Sequence, residues 1–198
     1  MTKCQLILPV VLVLAISAAA QRSHRDSLTG PEVDKIRDAA QEPEVRLKLY
    51  IEFARARLEK LQQARAGQTS DDKTAKDNDN KDDSKDKAQQ TREALQDFLD
   101  VYDELNTNVD TYADRGDDLR KALKPVIEAD TEFGSKLRAF KSEGTSTHED
   151  PKSYAFLLGS ALEAIDESAK DHRDLLAEQE ELFKHKKKQD RKESARGE

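Results

Sequence analysis

Asp130 and His172 are the two residues of this 198-residue chain whose types and positions could do chemistry together. Asp130 interrupts an otherwise apolar stripe of Leu119, Leu123, Val126, Phe133, Leu137 and Phe140, spaced three and four apart. His172 lies on a second one, Tyr154, Leu158, Ala161, Ile165, Ser168, Leu175 and Leu182. A carboxylate on a buried face must reach a partner or the edge of the core, because burying it alone costs more than any single contact returns. An imidazole on such a seam reads first as a packed or register-setting polar group. If the two residues face each other across the core, they form a buried polar contact that is sensitive to pH.

Other constellations lead to less. His24, His148, His172 and His185 show no pair three or four residues apart and no Glu-x-x-His, so di-iron bundle chemistry is not expected. Asp77-Asn78-Asp79-Asn80 opens like a calcium loop. Its fifth position, however, is Lys81, its sixth is Asp82 where glycine is required, and its twelfth is Ala88 where a bidentate Glu is required. Arg115-Gly116-Asp117 spells an integrin-recognition tripeptide, yet a helix end, a glycine stop and an aspartate cap account for the same three letters. There is no Gly-x-Ser-x-Gly, no Walker loop and no Gly-x-Gly-x-x-Gly. The expectation is a protein with no catalytic residue, metal or cofactor.

Two features suit contact with a partner. Lys184-His185-Lys186-Lys187-Lys188 is the one concentrated basic run; Lys186, Lys187 and Lys188 are candidates for an anionic lipid surface, where each contributes about 1 kcal/mol. No aromatics interleave with it and the chain is acidic overall, so nucleic acid is not the expected target. Just before it, two adjacent apolar stripes on one helix leave Leu176, Leu182 and Phe183 as candidate contacts for another protein or a second copy. No small-molecule substrate is evident.

The elements that must position these residues are all helical. Pro31 opens a short helix with Val33, Ile36 and Ala40 at helical spacing. Pro43 opens a longer one to Ala66, with Leu47, Ile51, Ala54, Leu58 and Leu61 as its stripe and Gly67 as its stop. Residues 67–87 hold seven Asp, five Lys and a single apolar residue, Ala75, and read as a solvated, disordered connector. Leu95, Phe98, Tyr102, Leu105, Val109 and Tyr112 define the next helix, which Gly116 ends. Asp117 or Asp118 caps the one after it, where Pro125 should produce a kink or a break after Lys124. A polar loop, 144–150, precedes the last helix, which opens at Asp150-Pro151 and runs from about 152 to 188. Roughly 55 Å at 1.5 Å per residue, it should overhang its neighbours.

The predicted fold is all-α: an antiparallel up-down bundle of about four long helices with coiled-coil-like packing, plus the short N-terminal helix. Residues 21–30 form a flexible lead-in, 31–66 and 88–190 belong to the same bundle, and 191–198 form a disordered tail. The net charge is −7, with 38% charged residues. Leu, Ile, Val and Phe are just under a fifth of residues 21–198, near the level of disordered chains, but their helical spacing argues for a thin core. Met1-Thr2-Lys3, the uncharged run Leu6–Ala20 and Ala18-Ala19-Ala20 have the layout of a secretory signal peptide cleaved after Ala20. That run is short of a membrane span and contains Pro9. Removing residues 1–20 takes away Cys4, the only cysteine, and with it all thiol and disulfide chemistry. The resulting expectation is a secreted or periplasmic, non-enzymatic interaction or envelope-associated module, with a lipid-surface or amphiphile-binding bundle as the alternative.

Overall fold

A computed structural model describes residues 27–71, 80–146 and 154–194, with side chains over 27–65, 88–143 and 154–189. Among the described residues the chain is all-α. Its helices are α1 (Gly30–Asp38), α2 (Pro43–Asp71), α3 (Asn80–Asp114), α4 (Arg120–Ser146) and α5 (Ala155–Ser194). The apolar stripes face inward. Leu47, Ile51, Ala54, Leu58 and Leu61 of α2 are buried, as are the six stripe residues of α3 and all of Leu119, Leu123, Val126, Phe133, Leu137 and Phe140. At the centre, Phe133 of α4 stands edge-on to Phe98 and Tyr102 of α3, with ring centroids 5.5 and 6.1 Å apart.

Helix ends explain most departures from the expected boundaries. Gly67 does not stop α2, which runs to Asp71, and α3 opens at Asn80 rather than near Ala88. An interior glycine costs only about 1 kcal/mol, and no Gly or Pro follows until Gly116. Residues 72–79, the middle of the expected connector, lie outside the described residues, as do residues 1–20 and the expected start at Asp150-Pro151. Gly116 does end its helix: its φ of 75° is the left-handed conformation glycine adopts freely. The Gly116 and Asp117 N–H groups then close on the Ala113 and Tyr112 carbonyls at 2.8 and 3.0 Å. Pro125 sits inside a continuous α4. It stands in the second turn, where its missing N–H forfeits the bond to the Lys121 carbonyl, yet the helix continues to Ser146.

Contact registers give the directions of the helices. Arg120 of α4 meets Phe183 of α5, Asp130 meets His172, and Phe140 meets Tyr154, so α4 and α5 run oppositely. Asn106 bonds Ser168 and the Asp117 carbonyl accepts from Gln179, each pair 62 residues apart, so α3 and α5 run in the same direction. Arg55 with Glu132 (77 apart) and Arg65 with the Phe140 carbonyl (75 apart) do the same for α2 and α4. α2 packs between α3 and α4, and α5 closes the ring between the same two helices. Direction thus alternates along the chain, but two of the four sides pair parallel neighbours. The reason is that residues 115–119 carry the chain across the core diagonal instead of to the adjacent position.

α1 is held on α2 by charge. Burial alone would raise the Glu32 pKa. Arg57 donates to both its oxygens at 2.9 and 2.6 Å, and Thr29 donates through its N–H and its hydroxyl, which together hold it at about 2. Arg57 also grips the Ser27 carbonyl at 2.6 Å. A carboxyl depressed in the folded state stabilises fully above its unfolded value of 4.5, and that stabilisation is lost as pH falls toward about 2. The protection factors of the α1 amides, relative to intrinsic exchange at each pH, should therefore fall between those two pH values, by an amount equivalent to at most about 3 kcal/mol. Glu32→Gln should flatten that acid response. An unchanged acid limb in the variant would assign it to other carboxylates.

Candidate functional site

The two residues singled out by type do meet. Asp130 lies on the inward face of α4 and His172 on that of α5, and the His172 Nδ1 is 2.9 Å from one Asp130 oxygen. The other oxygen accepts from the Tyr102 hydroxyl of α3 at 2.8 Å. Asp130 is 1% exposed, Tyr102 1% and His172 4%, so three helices are tied through one buried carboxylate. Burial, reinforced by the charge of Asp130, pushes the Tyr102 hydroxyl far above the usual phenol range, and it remains a donor at every physiological pH. Both carboxylate oxygens thus have a partner, the condition for holding a buried acid without a large penalty.

Above His172 a groove of about 440 Å³ opens between α3 and α5, the least closely packed sides of the ring. Its floor includes Asn106, Ser168 and His172, its walls Val109 and Leu175, and its rim the exposed Asp110, Asp114 and Asp171. The Asn106 side chain donates to Ser168 at 3.0 Å. At the end of the groove Gln179 clasps the α3–α4 turn: its oxygen accepts from the Leu119 N–H at 2.8 Å and its amide donates to the Asp117 carbonyl at 3.0 Å. The cap expected from Asp117 or Asp118 is therefore shared. Asp118 accepts from the Arg120 N–H at 3.2 Å, while the glutamine of another helix takes the Leu119 N–H.

Past Gln179, α5 leaves the bundle. The candidate contact residues change character along it: Leu176 is half-buried against the core, Leu182 is 62% exposed, and Phe183 is 45% exposed. The Arg120 guanidinium stacks on the Phe183 ring at 3.5 Å from its centroid, so this ring also holds the helix end in place. Lys186, Lys187 and Lys188 are all exposed. The Arg115-Gly116-Asp117 tripeptide folds on itself instead. Arg115 lies 5.4 Å from the Tyr112 ring centroid and 3.4 Å from an Asp117 oxygen.

Sequence reasoning missed the third member of the buried network and the glutamine clasp. Tyr102 stood in a clean apolar stripe, and the signal available was that a buried tyrosine seeks a partner for its hydroxyl. Nothing in the sequence marks Gln179. Among the described residues no three His, Cys, Asp or Glu side chains gather in a way that would hold a metal ion, and no helix is long and apolar enough to cross a membrane. The side chains of the Asp77–Ala88 segment up to Lys87 lie outside the described residues. No protein-family model, curated protein or solved structure matches this chain.

Proposed function

We propose that this protein is a non-enzymatic interaction module of a periplasmic or extracellular space, which engages another protein, or a second copy of itself, through the projecting end of α5. The observation that carries this reading is the exposure of Leu182 on a helix that outlasts its neighbours. From Lys184 to Ser194 it extends roughly 16 Å beyond the last contact with α4. An apolar residue flanked by an exposed basic run has no structural role inside the bundle. Leucine at the edge of a helix face is the kind of anchor that helix-in-groove recognition uses.

The non-enzymatic part of the proposal is supported by the burial of the polar network. Asp130, His172 and Tyr102 bond each other; Asp130 and Tyr102 are 1% exposed, and of the three only His172 borders the α3–α5 groove. The location rests on the basic start and apolar run of residues 1–20. The finer architecture we propose is an up-down bundle with coiled-coil-like seams, a reading supported by the alternating three- and four-residue steps of the buried stripes.

A second reading is favoured by Lys186, Lys187 and Lys188, whose exposure on a projecting helix also suits an anionic lipid surface. One experiment separates the two. Immobilised wild-type protein and a Leu182→Asp/Phe183→Asp variant are compared for what they retain from the native extracytoplasmic fraction, and both are floated with anionic vesicles. A protein retained by the wild type and lost with the variant, at unchanged melting temperature, supports the interaction module. Flotation abolished by Lys186→Gln/Lys187→Gln/Lys188→Gln, with no protein retained, replaces it with the lipid reading.

A further inference from the structure

We infer that the α5 projection docks into the α3–α5 groove of a second copy, reciprocally, to form a twofold dimer. The inference rests on the interaction reading above and names its occupant. Three observations lead to it.

The first is continuity of a face. Ser168, Asp171, Leu175, Leu182 and Lys186 recur at helical spacing and share one side of α5. Along 168–175 that side borders the groove with α3. α3 ends at Asp114, and beyond it the same side is bare, which is why Leu182 is exposed while Leu175 is not. The bundle itself supplies no helix to cover the continuation.

The second is charge. The groove rim carries Asp110, Asp114 and Asp171, all exposed, and none of the three has an ion-pair partner in its own chain among the described side chains. The projection carries Lys184, Lys186, Lys187 and Lys188. Lys184 is partly occupied by Glu181 at 2.7 Å; among the described side chains the other three make no ion pair. Each copy thus presents a basic tail and an acidic groove at the same end of the molecule.

The third is length. If two α5 helices cross antiparallel about an axis between Glu178 and Gln179, Leu182 of one faces Leu175 of the other, and Lys186 faces Asp171, all four on the side that borders the groove. The groove reaches back to Ser168, eleven residues from Gln179, or roughly 16 Å. The projection continues to Ser194, long enough to span it. Because the contact is reciprocal, one twofold axis satisfies both tails and both grooves, and the assembly closes as a dimer.

Sedimentation of the purified full-length protein over a wide concentration range tests this, with two charge reversals. Wild type should show a monomer–dimer equilibrium that weakens by about tenfold or more from low to high salt. Lys186→Glu/Lys187→Glu and Asp110→Lys/Asp114→Lys should each weaken it by about tenfold or more. Mixing the two variants should restore a heterodimer, because each basic groove then meets an acidic tail and each acidic groove a basic one. All four positions are exposed, and unchanged melting of each variant confirms that folding is intact. A wild type that stays monomeric, a dimer indifferent to both reversals, or a mixture that fails to associate overturns the inference. The interaction reading is judged separately, by whether Leu182→Asp/Phe183→Asp abolishes retention of a different protein.

Discussion

Asp130→Ala should lower the unfolding free energy by about 3–5 kcal/mol, although it removes only three heavy atoms. The loss comes from what is left behind. Without the carboxylate, the Tyr102 hydroxyl and the His172 Nδ1 each lose their partner at a buried position. A buried polar group left unpaired costs about 1–3 kcal/mol, and here there are two, beside a small cavity. The control is removal of the whole network. Tyr102→Phe/Asp130→Leu/His172→Leu leaves no orphaned group and should be markedly more stable than Asp130→Ala alone. Urea unfolding of the three proteins reads the difference. Equal stability of the single and triple variants would mean that the network is not the source of the loss.

Phe133→Ala is the second large effect, about 3–5 kcal/mol, through a different cause. The ring is fully buried and stands edge-on to both Phe98 and Tyr102, which themselves stack at 5.8 Å. It spans the diagonal between α3 and α4, one turn from the hydrogen bond that the Tyr102 hydroxyl donates to Asp130. Truncation leaves a void bounded by two rigid rings that cannot collapse into it. Phe133→Leu keeps most of the volume and should cost under about 2 kcal/mol. If alanine and leucine proved equally destabilising, edge-on ring geometry would matter more at this position than filled volume.

These two residues also show what the sequence could and could not reveal. Phe133 and Asp130 lie on one stripe, and helical spacing alone placed both in the core. The same rule placed the α2 and α3 stripes, whose residues are buried throughout. Periodicity works here because a helix must bury one side, and only that side repeats at three and four. It is silent about which helices become neighbours. That α3 lies beside α5 in the same direction follows from how residues 115–119 turn, through a left-handed Gly116 and a clasp from Gln179 sixty residues away. No local pattern encodes that distance.

Charged residues defeat simple pattern rules in two places. Arg65 continues the α2 stripe one step past Leu61 and is buried, its guanidinium 4.0 Å from the Phe140 ring centroid and bonded to the Phe140 carbonyl. A long cationic side chain can stand on an apolar face when an aromatic ring and a backbone carbonyl receive it. Residues 67–71 and 80–87 look like connector by composition but are helical. Composition measures whether a segment can bury surface, whereas helix continuation needs only the absence of a breaker.

The site was legible as residue types and not as geometry. Asp130 and His172 stood out because polar residues on apolar stripes need a partner. Leu182 stood out because a double stripe exceeds what one bundle covers. The groove did not, since it is an absence of packing between two helices whose adjacency no sequence pattern announces.

Whether the projecting end of α5 is a protein-binding surface can be read from a photo-reactive amino acid placed at position 182 of the protein in its native compartment, with the exposed position 163 as control. A discrete protein adduct, of the chain itself or another protein, should form from position 182 and not from 163. Adducts confined to lipid, or no adduct from either position, would rule this surface out as a protein-binding one.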